Sequence, residues 1–305
     1  MAKLHLFLAV LSLCSILSCP GAYSATFTLV NQCGYTVWPG LLSGAGTPPL
    51  PTTGFALQPG ESNSVPVPPS WSGRLWGRTS CSTDPTGRFT CVTGDCGSGT
   101  TECSGAGGAP PVTLAEFTLN GAGGMDFYDV SLVDGYNLPM LLAPRGGTGG
   151  NCTVTGCTAE LNGGCPSELR VNQDSDGGEV VGCKSACLAL GDPRFCCSGA
   201  YATPDTCKPT SFSEYFKSLC PRAYSYAYDD GTSTFTCASA DYVVTFCPTP
   251  TNSQKQGQLA GSVSLVTSGS GKSSRFHALL AAVMVMQDCG IPKIGTRESC
   301  CGILE

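Results

Sequence analysis

The sequence predicts a mainly β protein, an antiparallel sandwich or barrel held together by many disulfides. Three observations carry that prediction. Six short segments, residues 26–30, 35–38, 113–119, 126–132, 233–237 and 242–246, alternate in polarity or are rich in β-branched and aromatic side chains, and Gly, Pro, Asn or Asp flank each. The 305-residue chain carries 40 Gly and 22 Pro, which favours strands and turns over a helical bundle. It also carries 21 Cys, and where they fall separates a core from its flanks.

The N-terminal flank reads as a signal peptide over residues 1–24. Lys3 supplies a basic start, residues 4–17 form an apolar run, and Ala22-Tyr23-Ser24 places small residues for cleavage before Ala25. The run is short and ends in Pro20-Gly21, which disfavours a membrane anchor.

Within the core, residues 25–250, the strand-like segments lie at both ends and in the middle, so one sheet-built unit draws on distant parts of the chain. Residues 79–109 are rich in loops and fit two local bridges. Residues 159–220 hold seven of the 16 core cysteines and two helical patterns. In one, Cys183 and Cys187 are four apart and share a helix face; in the other, Ser211 to Glu214 reads as a capping box leading an apolar stripe of Phe212, Tyr215, Phe216 and Leu219. Disulfides at roughly 2–4 kcal/mol each supply stability that so small a segment cannot gain by burial.

After the core, residues 251–275 are rich in Ser, Gly, Gln and Thr and read as a flexible linker. Residues 276–305 are a short apolar stretch followed by a polar tail. The apolar part has 11 residues, about 16 Å as a helix against a bilayer core of about 30 Å, too short to span. Ser268-Gly269-Ser270, a spacer and an apolar stretch fit a glycolipid-anchor signal, yet 19 mostly polar residues follow where such a signal ends the chain. Either the anchor reading fails or those last residues do not belong to the functional protein.

Partitioning sharpens the chemistry. Sixteen cysteines in the core imply eight disulfides and an oxidising compartment, although spacing alone leaves about two million pairings open. The core holds 10 basic and 19 acidic residues, net −9, against −6 for the whole chain. With no polybasic block, nucleic acid is not an expected partner. The only two histidines are His5 and His277, both outside the core, so Ser-His-Asp and Cys-His catalysis and His-ligated zinc are excluded there. Paired cysteines would also remove thiolate nucleophiles and Cys-ligated metals. No metal or cofactor is expected, and no Lys-Ser/Thr follows Gly105, Gly107 and Gly108 to make a phosphate loop.

The run Gly87-Arg-Phe-Thr-Cys91-Val-Thr-Gly-Asp95-Cys96-Gly-Ser-Gly99-Thr-Thr-Glu-Cys103 resembles the signature of the thaumatin-like proteins, the plant pathogenesis-related group five. Further matches are Ala25-Thr-Phe27, Val30-Asn-Gln-Cys-Gly-Tyr-Thr-Val-Trp38, Gly73-Arg-Leu-Trp-Gly-Arg78, Thr113-Leu-Ala-Glu-Phe117, Val133-Asp-Gly-Tyr-Asn137, Cys196-Cys197, Cys220-Pro-Arg-Ala-Tyr-Ser-Tyr226 and Thr245-Phe-Cys-Pro248. The resemblance implies a flattened β-sandwich built from residues 25–78, 110–158 and 221–248, a small loop domain at 79–109 and a disulfide-rich domain at 159–220. It places a cleft between the sandwich and the disulfide-rich domain. It also implies the pairs Cys33–Cys247, Cys81–Cys91, Cys96–Cys103, Cys152–Cys237, Cys157–Cys220, Cys165–Cys183, Cys187–Cys196 and Cys197–Cys207.

Family members that act on fungi line the cleft with one Arg, one Glu and three Asp. The matching positions are Arg74, Glu116, Asp129, Asp134 and Asp229, with Arg78 an alternative to Arg74 and Asp230 to Asp229. On a continuous strand Asp129 and Asp134 would face opposite sides, so sharing a cleft requires a bend near Val133-Asp134-Gly135. Some of these carboxylates could instead be tied to cations or backbone amides, holding loops. The resemblance implies a secreted, monomeric, antifungal defence protein that binds β-1,3-glucan or other components of the fungal wall or membrane. Two alternatives stay open: a weak endo-β-1,3-glucanase, with Glu116 as acid and an Asp such as Asp129 as base or nucleophile, and an inhibitor of foreign amylases or xylanases. Hydrolysis is expected to be marginal at most.

Two smaller signals remain. Asn151-Cys152-Thr153 is a glycosylation sequon. Trp38 and Trp76 lie in strand-like motifs and are expected in the core, whereas Trp71, in a Pro-Pro-Ser-Trp-Ser-Gly turn, is expected to be exposed.

Overall fold

A computed structural model describes residues 25–149, 151–173 and 178–249. The signal peptide, linker and tail expectations, residues 1–24, 251–275 and 276–305, lie outside the described residues. Among those described, no helix is long and apolar enough to cross a membrane.

Two sheets make the core. In β1 (Ala25–Asn31) every second side chain is buried, as the alternation of its sequence requires. It pairs parallel with β13 (Asp241–Phe246) and antiparallel with β3 (Ser62–Val67). β13 continues to β8 (Met140–Arg145), and β8 to β9 (Thr155–Cys157), giving the order β3-β1-β13-β8-β9. The other sheet runs β12 (Phe235–Cys237), β7 (Asp126–Ser131), β6 (Leu114–Thr118), β4 (Ser72–Thr83) and β2 (Trp38–Ser43). β5 (Phe89–Thr93) folds back on the distal half of β4.

The sheets meet through interleaved aromatics. Phe27 of β1 stacks on Phe117 of β6 at 4.4 Å, and Tyr242 of β13 meets Phe117 edge-on at 5.2 Å. Burying side chains of this size is worth about 1.5–3 kcal/mol each. Leu75, Ala115, Val130 and Tyr128 face the same core. Their neighbours in sequence therefore point to the opposite face of the six-membered sheet.

Part of that second face is covered. Trp76, Leu114 and Val112 pack there with Cys96 and Cys103 of the loop region, and the Trp76 indole donates to the Gly94 carbonyl at 2.8 Å. Gly40 and Gly108 flank the ring so closely that a Cβ on either would lie 2.5 Å from it. Larger residues would have to displace the indole.

A ribbon of β10 (Arg170–Asn172) and β11 (Val180–Cys183) leads into α1 (Ala186–Leu190), α2 (Pro193–Cys196) and α3 (Ser211–Leu219). A short α4 (Asp230–Ser233) follows. Among the described residues, eight bridges join Cys33–Cys247, Cys81–Cys91, Cys96–Cys103, Cys152–Cys237, Cys157–Cys220, Cys165–Cys183, Cys187–Cys196 and Cys197–Cys207. The first spans 214 residues and ties the start of the sandwich to its last strand.

Several local expectations change. Cys183 and Cys187 do not share a helix: Cys183 ends β11, paired with Arg170, and Ser185 caps the helix that holds Cys187. The capping box sits one residue earlier, with Thr210 as the cap and Ser213 closing it, because Thr210 is the last extended residue. Residues 35–37 form a bend and an isolated bridge from Val37 to Leu57, and the strand β2 begins only at Trp38 and runs on through Leu41 and Leu42. Trp71 is buried, not exposed: its ring meets Phe27 edge-on at 5.4 Å, and its indole donates to the Ser43 hydroxyl at 2.9 Å.

Candidate functional site

The strand register assembles the site. Arg74 on β4 pairs with Glu116 on β6, and Glu116 pairs with Asp129 on β7. On the far side of Arg74, β2 contributes Leu42. The four residues form one row across four adjacent strands, on the face turned away from the sandwich core. Neighbouring members stand about 5 Å apart, so the row spans about 15 Å.

Arg74, not Arg78, belongs to this row. Arg78 is fully buried, and its guanidinium donates to the carbonyls of Trp38 (2.9 Å), Pro39 (3.1 Å) and Thr101 (2.6 Å). It also lies over the Phe89 ring at 5.4 Å. Burial lowers its pKa to about 10, with Asp95 and Glu102 opposing the fall. Arg78 binds the loop region to the sheet, whereas Arg74 stays partly exposed, beside Gly107.

The two opposed carboxyls differ. Glu116 is half-buried. Asp129 is 1% exposed, and its Oδ1 is buried with no hydrogen-bond partner. Burial first, then the negative charges of Glu116 and Asp230, hold the Asp129 pKa well above the usual carboxylate range. Desolvation and like-charge repulsion both disfavour the anion. The shift favours the protonated form of Asp129, the residue that the sequence reading offers as base or nucleophile beside Glu116 as acid.

Asp134 lies in the turn after β7, and Asp229 and Asp230 lie at the start of α4. Beyond β7 the chain bends over residues 132–135, where the Gly135 amide donates to the Leu132 carbonyl at 2.9 Å. Gly135 has φ +84°, and a Cβ there would lie 2.6 Å from the Cys183 carbonyl. The bend breaks the strand between Asp129 and Asp134, which is half-buried. Asp229 is engaged elsewhere: its Oδ2 accepts from Lys217 at 2.8 Å and from the Ser225 amide and hydroxyl, both at 3.0 Å. Asp230 is exposed, accepts from the Tyr224 hydroxyl at 3.0 Å, and is the acid whose charge reaches Asp129.

Sequence reasoning missed Leu42, Lys217 and Tyr224. Nothing in the sequence marks Leu42 as a neighbour of Arg74, because the β2–β4 register is long-range. Tyr224 sits inside the quoted motif 220–226, and its hydroxyl contacts both Asp230 and Thr234. Among the described residues, no group of three or more His, Cys, Asp or Glu is arranged to hold a metal ion.

Chemically, the row offers a half-buried carboxyl, a planar cation and an apolar neighbour, with a buried acid of raised pKa beside them. That set can bond a polyhydroxyl chain from both donor and acceptor sides. Glu116 and Asp129 occupy directly opposed strand positions, whose Cβ atoms lie about 4.5–5.5 Å apart, and two neighbouring carboxyls are what glycoside hydrolysis uses. Burial, however, keeps Asp129 from an attacking position.

Comparison with known proteins agrees with this architecture. The model of the Thaumatin family matches residues 31–248. A thaumatin-like protein 1 of Pyrus pyrifolia is 60% identical over 229 residues, covering 75% of this chain and 93% of its own. A thaumatin-like protein 1 of Arabidopsis thaliana is 57% identical over 234 residues, 75% of this chain and 88% of its own. A protein of Prunus avium named glucan endo-1,3-beta-glucosidase is 52% identical over 235 residues, 77% of this chain and 95% of its own.

Proposed function

This chain belongs to the thaumatin family, and from that premise we propose that it is a secreted plant defence protein, acting as a monomer, that binds fungal β-1,3-glucan. The binding surface is the acidic face centred on Arg74, Glu116 and Asp129, completed by Asp134 and by Asp230 at its edge. The carrying observation is the in-register row of Arg74, Glu116 and Asp129 on the face away from the core.

Glu116 accepts from sugar hydroxyls, and Arg74 donates to ring and hydroxyl oxygens. Hydrogen bonds to charged groups contribute about 1.5–3 kcal/mol each. Leu42 offers apolar surface to the C–H side of a sugar ring. A neutral polymer pays no electrostatic penalty in the field of a −9 core, whereas an anionic one is repelled.

The Prunus avium relative's name favours a second reading, hydrolysis of the bound glucan. It would need Glu116 and Asp129 as the working pair. Asp129, 1% exposed and with its pKa raised by burial and by the charges of Glu116 and Asp230, is poorly placed as nucleophile or base, so turnover stays marginal. Binding to laminarin and inhibition of hyphal growth, measured for the wild type and Glu116→Gln, test the proposal. Loss of both in the variant supports it, and full retention of both removes the row as the working surface. Reducing sugar released from laminarin at an enzymatic rate would establish the second reading instead.

A further inference from the structure

Residues 151–153 read Asn-Cys-Thr, an acceptor sequence for N-linked glycan that glucan binding leaves unused. We propose that Asn151 carries an N-linked oligosaccharide, attached before the neighbouring Cys152 closes its bridge to Cys237.

The fold leaves the right atom available. The Asn151 backbone is fully engaged: its amide donates to the Thr236 hydroxyl at 3.4 Å, and its carbonyl accepts from the Thr153 amide at 2.6 Å and the Tyr128 hydroxyl at 3.3 Å. The residue is exposed, and its carboxamide has no hydrogen bond among the described residues. An open groove of about 430 Å³ begins at Thr153 and is lined by Val154, Leu219 and Pro221, leaving room on that side.

The order of events follows from the same geometry. In the folded protein the Thr153 hydroxyl donates to the Asn151 carbonyl at 3.3 Å and accepts from Arg222 at 2.7 Å. Cys152 is tied to Cys237. The sequon is therefore locked at both of its later positions, and transfer belongs to the nascent chain. Cys237 lies 85 residues downstream, about 4–17 s of synthesis at 5–20 residues per second. Asn151 has that interval before Cys152 can meet its partner.

In the transfer, Asn151 Nδ2 forms a bond to the anomeric carbon of a polyisoprenyl-diphosphate oligosaccharide. The bond from that carbon to the diphosphate breaks, the lipid diphosphate leaves with the electron pair, and one amide proton is lost. No electrons are exchanged. Closure of Cys152–Cys237 then removes two protons and two electrons, passed to an oxidising disulfide of the secretory compartment.

The full chain is expressed in plant or insect secretory cells, and secreted protein is analysed by peptide mass before and after peptide-N-glycosidase. The expected result is a glycan confined to the peptide holding Asn151, released to leave an aspartate, in molecules that also carry the Cys152–Cys237 bridge. Asn151→Gln and Thr153→Ala should each abolish it. Secreted, fully bridged protein with unmodified Asn151 overturns the site. Occupancy in Cys237→Ser should match the wild type; a several-fold rise would mean that the bridge competes, and overturns the order. If Cys237→Ser is retained in the cell, its occupancy is read in the membrane fraction, where transfer occurs.

Discussion

Glu116 and Asp129 stand directly opposite one another on β6 and β7, yet one is half-buried and the other 1% exposed. Like charges in that arrangement repel, and burial together with that repulsion raises the pKa of Asp129 above the usual carboxylate range.

This asymmetry sets a pH dependence of stability. Asp129 is raised in the folded state, so the folded protein binds more protons than the unfolded one above the ordinary Asp pKa of about 3.9. Its contribution is fully present below that pH and is lost as pH rises towards the folded-state value, at up to about 1.4 kcal/mol per pH unit. Asp129→Asn should therefore match the wild type near pH 4 and be the more stable at pH 7. Thermal unfolding of both across that range checks it.

Arg74 and Arg78 should separate binding from folding. Arg78→Met removes the guanidinium donor from the carbonyls of Trp38, Pro39 and Thr101, of which Pro39 keeps a bond from the Phe55 amide at 3.4 Å. Groups left unsatisfied away from water cost about 1–3 kcal/mol each, so a loss of about 2 kcal/mol or more is expected in denaturant unfolding. Arg74→Met should change stability by no more than about 0.5 kcal/mol while weakening laminarin binding.

Lys217 joins α3 to the loop before α4. Its ammonium donates to Asp229 and Ser233, both at 2.8 Å, and to the Ala223 carbonyl at 3.1 Å. The two charged side chains are 25% and 12% exposed, so solvent screens the pair only in part. Lys217→Met should cost about 1–3 kcal/mol. Asp229→Asn should likewise lower stability more than laminarin affinity, as expected of a carboxylate engaged in holding its own loop.

Which parts of this structure the sequence revealed depends on how local the cause is. β1, β6, β7 and β13 were legible because each has one face on the core and alternates accordingly. β4 was not, although it is the longest strand: Gly73, Gly77 and a run of Ser and Thr hide it, and its Trp76 serves a second cluster on the other face. Trp71 misled because its Pro-Pro-Ser context signals a turn, while the Phe27 ring that buries it comes from 44 positions earlier in the chain. The five acidic and basic positions could be named from a family resemblance. Their division into an in-register row, a buried acid of raised pKa and a loop-holding Asp229 rests on strand register and burial, which no local pattern encodes.

The central claim is that the face bearing Glu116 binds β-1,3-glucan, and calorimetric titration with laminarin oligosaccharides tests it most directly. Three proteins are compared at one pH: wild type, Glu116→Gln, and Glu214→Gln, which removes the same charge from an exposed position on α3. Loss of a charge-assisted bond of about 1.5–3 kcal/mol corresponds to roughly tenfold to hundredfold weaker binding. Glu116→Gln should show that loss while Glu214→Gln binds like the wild type. Equal affinity of Glu116→Gln and wild type would contradict the account.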